Sequence, residues 1–272
     1  MKNIKYILLF IAVLTFVSCQ DVISVDLETA PPRLVVEASI DWHKDTDGLV
    51  QKIKLTTTTG FYETEVPVVS GATIYIENEN GIRFDFIEQA TTGEYICTDF
   101  VVELNQNFTL VMLVGTEVYT ATEVFKPVPN ILLVEQNNDI GFGENTIELK
   151  FFYQDNGATD NFYMEKVTNP MLPYPKYGVK SNELFKGNMM YGIYLSDKLD
   201  VGTEVVFELF GITERYKNYM SKLLIAANNG SGPFQQTPPT VRGNIVNQTN
   251  PDNYALGYFR LSEVSELSYT VE

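Results

Sequence analysis

Between residues 33 and 126 the chain alternates apolar and polar side chains in short runs, and each run ends on a turn signal. A period of two sends successive side chains to opposite faces of an extended backbone, so each run reads as a half-buried strand. Seven runs are visible, at 33–40, 50–61, 72–77, 82–87, 93–100, 108–114 and 118–125. Lys52-Ile53-Lys54-Leu55-Thr56 alternates strictly, and the 72–77 run leads to Asn80-Gly81, a pair suited to the positive φ angles of a tight hairpin turn. Gly115-Thr116 supplies another tight turn. None of these runs has a helical period. Short strands with turn signals every 8–12 residues or so predict an antiparallel β-sandwich of immunoglobulin-like or transthyretin-like type. Cys97 is the only cysteine in this stretch, so the inter-sheet disulfide of antibody domains is excluded and a lone buried thiol is expected.

Pro127-Val128-Pro129-Asn130 marks the expected end of that sandwich, domain 33–126, because two prolines in three residues do not continue a central strand. The second expected domain, 131–272, is also β-rich. Strands are expected at 146–152, 162–167, 191–195, 204–210, 242–246 and 254–261, with an irregular Pro-, Tyr- and Asn-rich stretch at 168–190. One packed helix is expected near 213–228. Thr213 is its N-cap, Tyr216, Tyr219, Met220, Leu223 and Ala227 share one face, and Asn228-Asn229-Gly230 ends it. The fold class is therefore mainly β, a sandwich followed by a β-rich domain with one helix.

The first 18 residues form a secretory leader. Lys2 and Lys5 are its positive end, residues 7–14 its apolar core, and Ser18-Cys19 its close. The apolar run is shorter than the 17–25 or so residues that span a bilayer. A small residue directly before Cys at that point reads as a bacterial lipobox. Cleavage before Cys19 and acylation of its thiol and new amine would anchor the chain, since several acyl chains hold where one does not. Residues 19–32 are polar, end in Pro31-Pro32, and read as a tether. Gln20-Asp21 is an acidic export cue that favours the cell surface over a periplasm-facing position.

The 272 residues carry 35 acids against 19 Lys plus Arg, a formal charge of −16. Loss of Lys2 and Lys5 with the leader, and of no acid, takes this to −18. Such a balance excludes the basic footprint of a nucleic-acid binder and disfavours anionic headgroups, so the lipid must supply membrane attachment. One His excludes multi-histidine metal sites, and two Cys exclude a disulfide scaffold and a four-cysteine zinc site.

Few residues stand out chemically. Asp41, Asp45 and Asp47, with Gly48, resemble half a calcium loop, but no Glu closes it and no helices flank it, so a solvated hairpin tip is expected and no metal or cofactor is assigned. Trp42 beside His43 is a candidate ligand contact, or else plugs the sandwich end. Asp155 and Asp160 lie in a second acidic turn. Tyr174 and Tyr177, within the Pro- and Tyr-containing stretch 169–178, are candidate partner or ligand contacts, since aromatic rings on such a loop make a low-entropy recognition surface. No phosphate-binding, dinucleotide or hydrolase motif is present, no catalytic residue is marked, and a non-enzymatic role is expected.

A sequence of motifs carries a family resemblance. The lipobox, Leu34-Val35-Val36-Glu37, Val69-Ser70-Gly71-Ala72, Gly93-Glu94-Tyr95, the aromatic helix 216–224, and the closing pair Pro238-Pro239-Thr240-Val241-Arg242-Gly243-Asn244-Ile245 and Leu256-Gly257-Tyr258-Phe259 stand in this order. Together they resemble a lipoprotein family of the Bacteroidota catalogued as domain-of-unknown-function family 4249. The resemblance implies a lipid-anchored outer-membrane protein, of a kind often encoded beside TonB-dependent receptors. It carries no catalytic residues over. The expected role is an accessory or ligand-capturing partner of a TonB-dependent transporter. The alternative is an adhesive or assembly lipoprotein that self-associates through strand edges.

Overall fold

The computed structural model describes residues 30–139, 146–228 and 241–272. The leader, Cys19 and almost all of the tether lie outside the described residues, as do Asn229-Gly230 and the Pro238-Pro239-Thr240 part of the closing motif. Residues Pro32–Glu272 form one compact unit. It is mainly β, with one helix among the described residues.

The strands are β1 Leu34–His43, β2 Gln51–Thr57, β3 Thr73–Asn78, β4 Arg83–Glu88, β5 Glu94–Cys97, β6 Asn107–Val114, β7 Glu117–Val124, β8 Ile131–Asn137, β9 Ile147–Gln154, β10 Phe162–Thr168, β11 Lys176–Ser181, β12 Met189–Ser196, β13 Glu204–Ile212, β14 Val246–Asn247 and β15 Leu256–Thr270. Helix α1 spans Glu214–Asn228. Twelve strands form one sheet in the order β11-β10-β13-β15-β1-β2-β5-β4-β3-β6-β7-β14, and β12-β9-β8 form a second. The large sheet curls back on itself at β4. Ile40, Ile53 and Tyr95 from one limb thereby meet Ile74, Leu110 and Tyr119 from the other in a single apolar core. The small sheet closes a second core, in which Leu149, Phe151 and Tyr153 of β9 face Tyr163, Phe207 and Leu209.

Strand β15 serves both cores. Its first part pairs in parallel with β1, from Val35↔Leu256 to His43↔Val264. Its second part pairs antiparallel with β13, from Phe210↔Val264 to Glu204↔Thr270. Phe259 and Leu261 therefore belong to the first core, while Leu267 and Tyr269 border the second. The pairing with β1 requires a very close approach at Gly257, which has φ +98°. A Cβ there would overlap the Val36 carbonyl, so only glycine fits. The Pro127–Asn130 link between the two cores is packed against β15. Glu263 accepts the Val128 N–H at 2.8 Å, and Ser265 accepts the Ile131 N–H at 2.9 Å.

All seven expected strands of the first half are present. In the second half β8 and β11 add to expectation, β15 runs on to Thr270, and the expected 242–246 strand shrinks to β14. Strand β11 lies at the edge of the large sheet with every side chain half-buried or exposed, so no apolar alternation marks it. Cys97 is buried in the first core, and burial pushes its thiol up to about 11.

Candidate functional site

The outer face of the large sheet, away from both cores, is covered by α1. Thr213 caps the helix as the sequence suggests: its hydroxyl oxygen accepts the Tyr216 N–H at 3.3 Å and its carbonyl accepts the Lys217 N–H at 2.9 Å. The same hydroxyl donates to Glu123 of β7 at 3.1 Å, and Tyr258 of β15 donates to Glu123 at 2.8 Å. The start of the helix is thus tied to strands of the first core. Tyr216 and Met220 then pack on Met164, Phe210, Ile212, Tyr258 and Val264.

Beyond Met220 the apolar stripe of α1 is not fully packed. Leu223 is 37% exposed. Beneath this part of the helix is a cavity of about 550 Å³, within the range of small-molecule sites. Its helix wall is Tyr216, Met220, Leu223, Leu224 and Ala227; its sheet wall is Met164 and Phe210, with Tyr177 at the side. Polar groups complete it: Glu37, Ser39 and Asp41 from β1, Lys166 from β10 and Arg260 from β15.

Arg260 dominates the site. It is only 4% exposed, and its guanidinium carbon sits 5.0 Å from the Phe210 ring centre and 5.3 Å from that of Tyr216. Its Nη2 lies 2.7 Å from Asp41 Oδ1. Burial works against its charge, and the Asp41 carboxylate together with the Tyr216 hydroxyl more than offsets that, so the group stays cationic. Nε and Nη1 have no hydrogen-bond partner among the described residues, and neither has the buried Ser262 Oγ, directly across the strand pair from Asp41. Lys166, the other cation of the cavity, pairs with Glu208 at 2.6 Å. Asp41 Oδ1 likewise lacks a hydrogen bond of good geometry, so the ion pair is held by charge and by the Tyr216 and Phe210 rings more than by aligned hydrogen bonds.

A wider cleft of about 800 Å³ opens on the other flank of α1, but Glu214, Arg215, Asn218 and Lys222 in its wall are all exposed. The smaller cavity, with its largely apolar walls, is the better ligand site.

The family comparison agrees with the order of motifs. The family model described as "Domain of unknown function (DUF4249)" matches residues 20–268. The chain belongs to that family. No curated protein matches it. Among solved structures it is similar to a two-domain fibronectin type III segment of chicken tenascin (9% identity, 66% of this chain and 90% of the other, TM-score 0.22). It is also similar to a chain of a cytokine receptor complex (9% identity, 65% and 82%, TM-score 0.26). A third is a DUF4785 family protein of Legionella pneumophila (12% identity, 65% and 52%, TM-score 0.26).

The residues singled out in the sequence of this DUF4249 member are placed separately. Asp41 lies on β1 and is held by Arg260, whereas Asp45 and Asp47 are exposed in the following turn. Among the described residues the one group of three metal-type donors within 4.8 Å is His43, Glu208 and Glu266, so the three aspartates are not gathered for calcium. Glu208 in that group is engaged by Lys166. Trp42 packs against the first core, 6.3 Å from the Phe125 ring, and so plugs the sandwich end. Tyr174 projects into solvent, while Tyr177 on β11 reaches the cavity wall. Asp155 is buried and accepts from Gly157 N (2.9 Å), Gly187 N (2.8 Å), Tyr163 OH (2.6 Å), Asn161 Nδ2 (2.9 Å) and Asn182 Nδ2 (3.0 Å). Burial raises its carboxyl, but these donors outweigh it and hold it well below the usual range. It is a structural keystone of the 155–161 loop.

Sequence reasoning missed Arg260. In Tyr258-Phe259-Arg260-Leu261 it reads as the polar partner of an alternating strand, and its burial arises only when residues 214–228 fold over it.

Proposed function

We propose that this protein is a non-enzymatic, lipid-anchored outer-membrane protein that captures a ligand as the partner of a TonB-dependent transporter. The observation that carries the capture role is the cavity of about 550 Å³ beneath α1, with largely apolar walls from the helix and the sheet. The anchor rests on the leader ending at Ser18-Cys19, and the acidic Gln20-Asp21 favours surface display. Affinity purification of a tagged copy from gently solubilised outer membranes tests the partnership. Co-purification of a transporter is expected, and its loss under conditions that preserve other such complexes overturns the reading. Acyl labelling that disappears in Cys19→Ala tests the anchor.

A second reading, assembly through strand edges, is favoured by β12. This strand lies at the edge of the small sheet, and Met189, Tyr191, Ile193 and Leu195 along one face are each 46–48% exposed. A row of apolar side chains on an open edge is a template for strand addition. Concentration-dependent self-association that Ile193→Lys abolishes would support it, and a monodisperse monomer at high concentration would exclude it.

A further inference from the structure

We infer that His43, Glu208 and Glu266 form a binding site for a divalent first-row metal ion of the zinc type. This goes beyond the capture role and does not depend on it. The three side chains come from three strands that lie side by side, and strand register brings them together. Glu208 of β13 pairs directly with Glu266 of β15, and His43 at the end of β1 pairs with Val264, two residues before Glu266. A spacing of two puts Val264 and Glu266 on one face of β15, so the three side chains gather on one face of the sheet. One donor atom from each lies within 4.8 Å of the other two, and His43 Nδ1 is 3.7 Å from Glu266 Oε2. A metal held at about 2.0–2.2 Å by nitrogen and carboxylate oxygen fits between them after small side-chain movements.

The charges at this place call for a cation. Two carboxylates directly opposite each other in a sheet repel, and Glu208 is only 6% exposed, where repulsion is poorly screened. Lys166 contacts Glu208 Oε2 at 2.6 Å and neutralises one of the two. It leaves Glu208 Oε1 and both oxygens of Glu266 for a second cation, and it orients the Glu208 carboxylate as an outer partner orients a metal ligand. Among the described residues the one ion-pair partner of Glu266 is His43. The imidazole selects the metal, because calcium and magnesium take oxygen ligands while zinc and its neighbours accept nitrogen. The single histidine of the chain rules out a multi-histidine site but suffices for this mixed one. Three protein ligands leave at least one coordination position open. His43 and Glu266 also line a cleft of about 410 Å³, which gives room for water or a ligand at that position.

The test uses the full lipidated chain, purified in detergent through a tag that contains no histidine and stripped with a chelator. Zn²⁺ is titrated by calorimetry in excess Ca²⁺, which occupies scattered surface carboxylates. Saturable binding of one Zn²⁺ per chain is expected, undisturbed by the Ca²⁺. His43→Ala and Glu266→Gln change exposed side chains and should each weaken it about ten-fold or more. Glu208→Gln combined with Lys166→Met removes the buried pair together and should weaken it as much, with circular dichroism as the control for folding. Cu²⁺ in place of Zn²⁺ adds a spectroscopic readout. Pulsed electron paramagnetic resonance should show coupling to one imidazole, which in a chain with one histidine is that of His43, and the coupling should vanish in His43→Ala. An absence of saturable Zn²⁺ binding, displacement by Ca²⁺, unchanged affinity in folded His43→Ala or Glu266→Gln, or bound Cu²⁺ without imidazole coupling overturns the inference.

Discussion

Asp155 and Arg260 are both charged side chains withdrawn from water, and their surroundings differ sharply. Asp155, 2% exposed, accepts from two backbone N–H groups, a tyrosine hydroxyl and two asparagine amides, so its loop closes around a complete network. Arg260 has one ion pair, two aromatic faces, and an Nε and Nη1 without a hydrogen bond of good geometry. A satisfied buried charge holds the fold around it. A half-satisfied one contributes little, and replacing it together with its partner need not weaken the fold.

The comparison is most directly broken at Asp155. Asp155→Ala removes the acceptor shared by five donors, the buried Tyr163 hydroxyl and Asn182 amide among them, and should cost about 3–5 kcal/mol in denaturant unfolding. The contribution also carries a pH signature. Because the folded-state carboxyl is held low, its stabilisation is complete above the unfolded-state value of about 3.9 and is lost as the pH falls from there through the folded value. The gap in melting temperature between the wild type and Asp155→Asn should therefore narrow on acidification below about pH 4. A gap that widened instead would remove Asp155 from the ionised, hydrogen-bonded role.

Gly257→Val should follow in size, at about 2 kcal/mol, because a side chain there is strained at φ +98° and overlaps the Val36 carbonyl. Cys97 reports where the damage lies. Its buried thiol, raised to about 11, should resist thiol reagents at neutral pH in the wild type and react faster in Gly257→Val, whose lesion is at the first core. Thr213→Ala should cost about 1 kcal/mol through loss of the helix cap, with calorimetry as the readout. The smallest change is expected at the cavity itself. Arg260→Met combined with Asp41→Asn should be neutral or stabilising by about 1 kcal/mol. A loss as large as that of Asp155→Ala would show that the guanidinium holds the fold and would erase the contrast.

The same contrast explains what could be read from the sequence. Alternation is a local record of one buried face, and it marked every strand of the first half because each has its inner residues in one core. It failed at β11, an edge strand with no deeply buried face, and beyond Leu261 in β15, where Ser262, Glu263, Ser265 and Glu266 interrupt the apolar pattern. Thr213 and the helix stripe were legible because caps and periodicity are local. The stripe predicted a packed face, yet Leu223 and Ala227 remain exposed at the cavity mouth, since nothing local tells a packed stripe from one that overhangs a void. Asp41 stood out as a carboxylate in an acidic run. Its real partner, Arg260, is near the far end of the chain, and only the β1–β15 pairing brings the two together.

That pairing also dictates an order of events. Until residues 256–264 have been synthesised and released, β1 has a free edge on the side that β15 will occupy, and the first core lacks Phe259 and Leu261. The segment made first cannot finish folding until the segment made last arrives, so contacts of the greatest sequence separation gate completion and slow it. Throughout that interval an apolar strand edge is open to pairing with other chains, and the unfinished chain is at its most prone to aggregate until the final strand is in place.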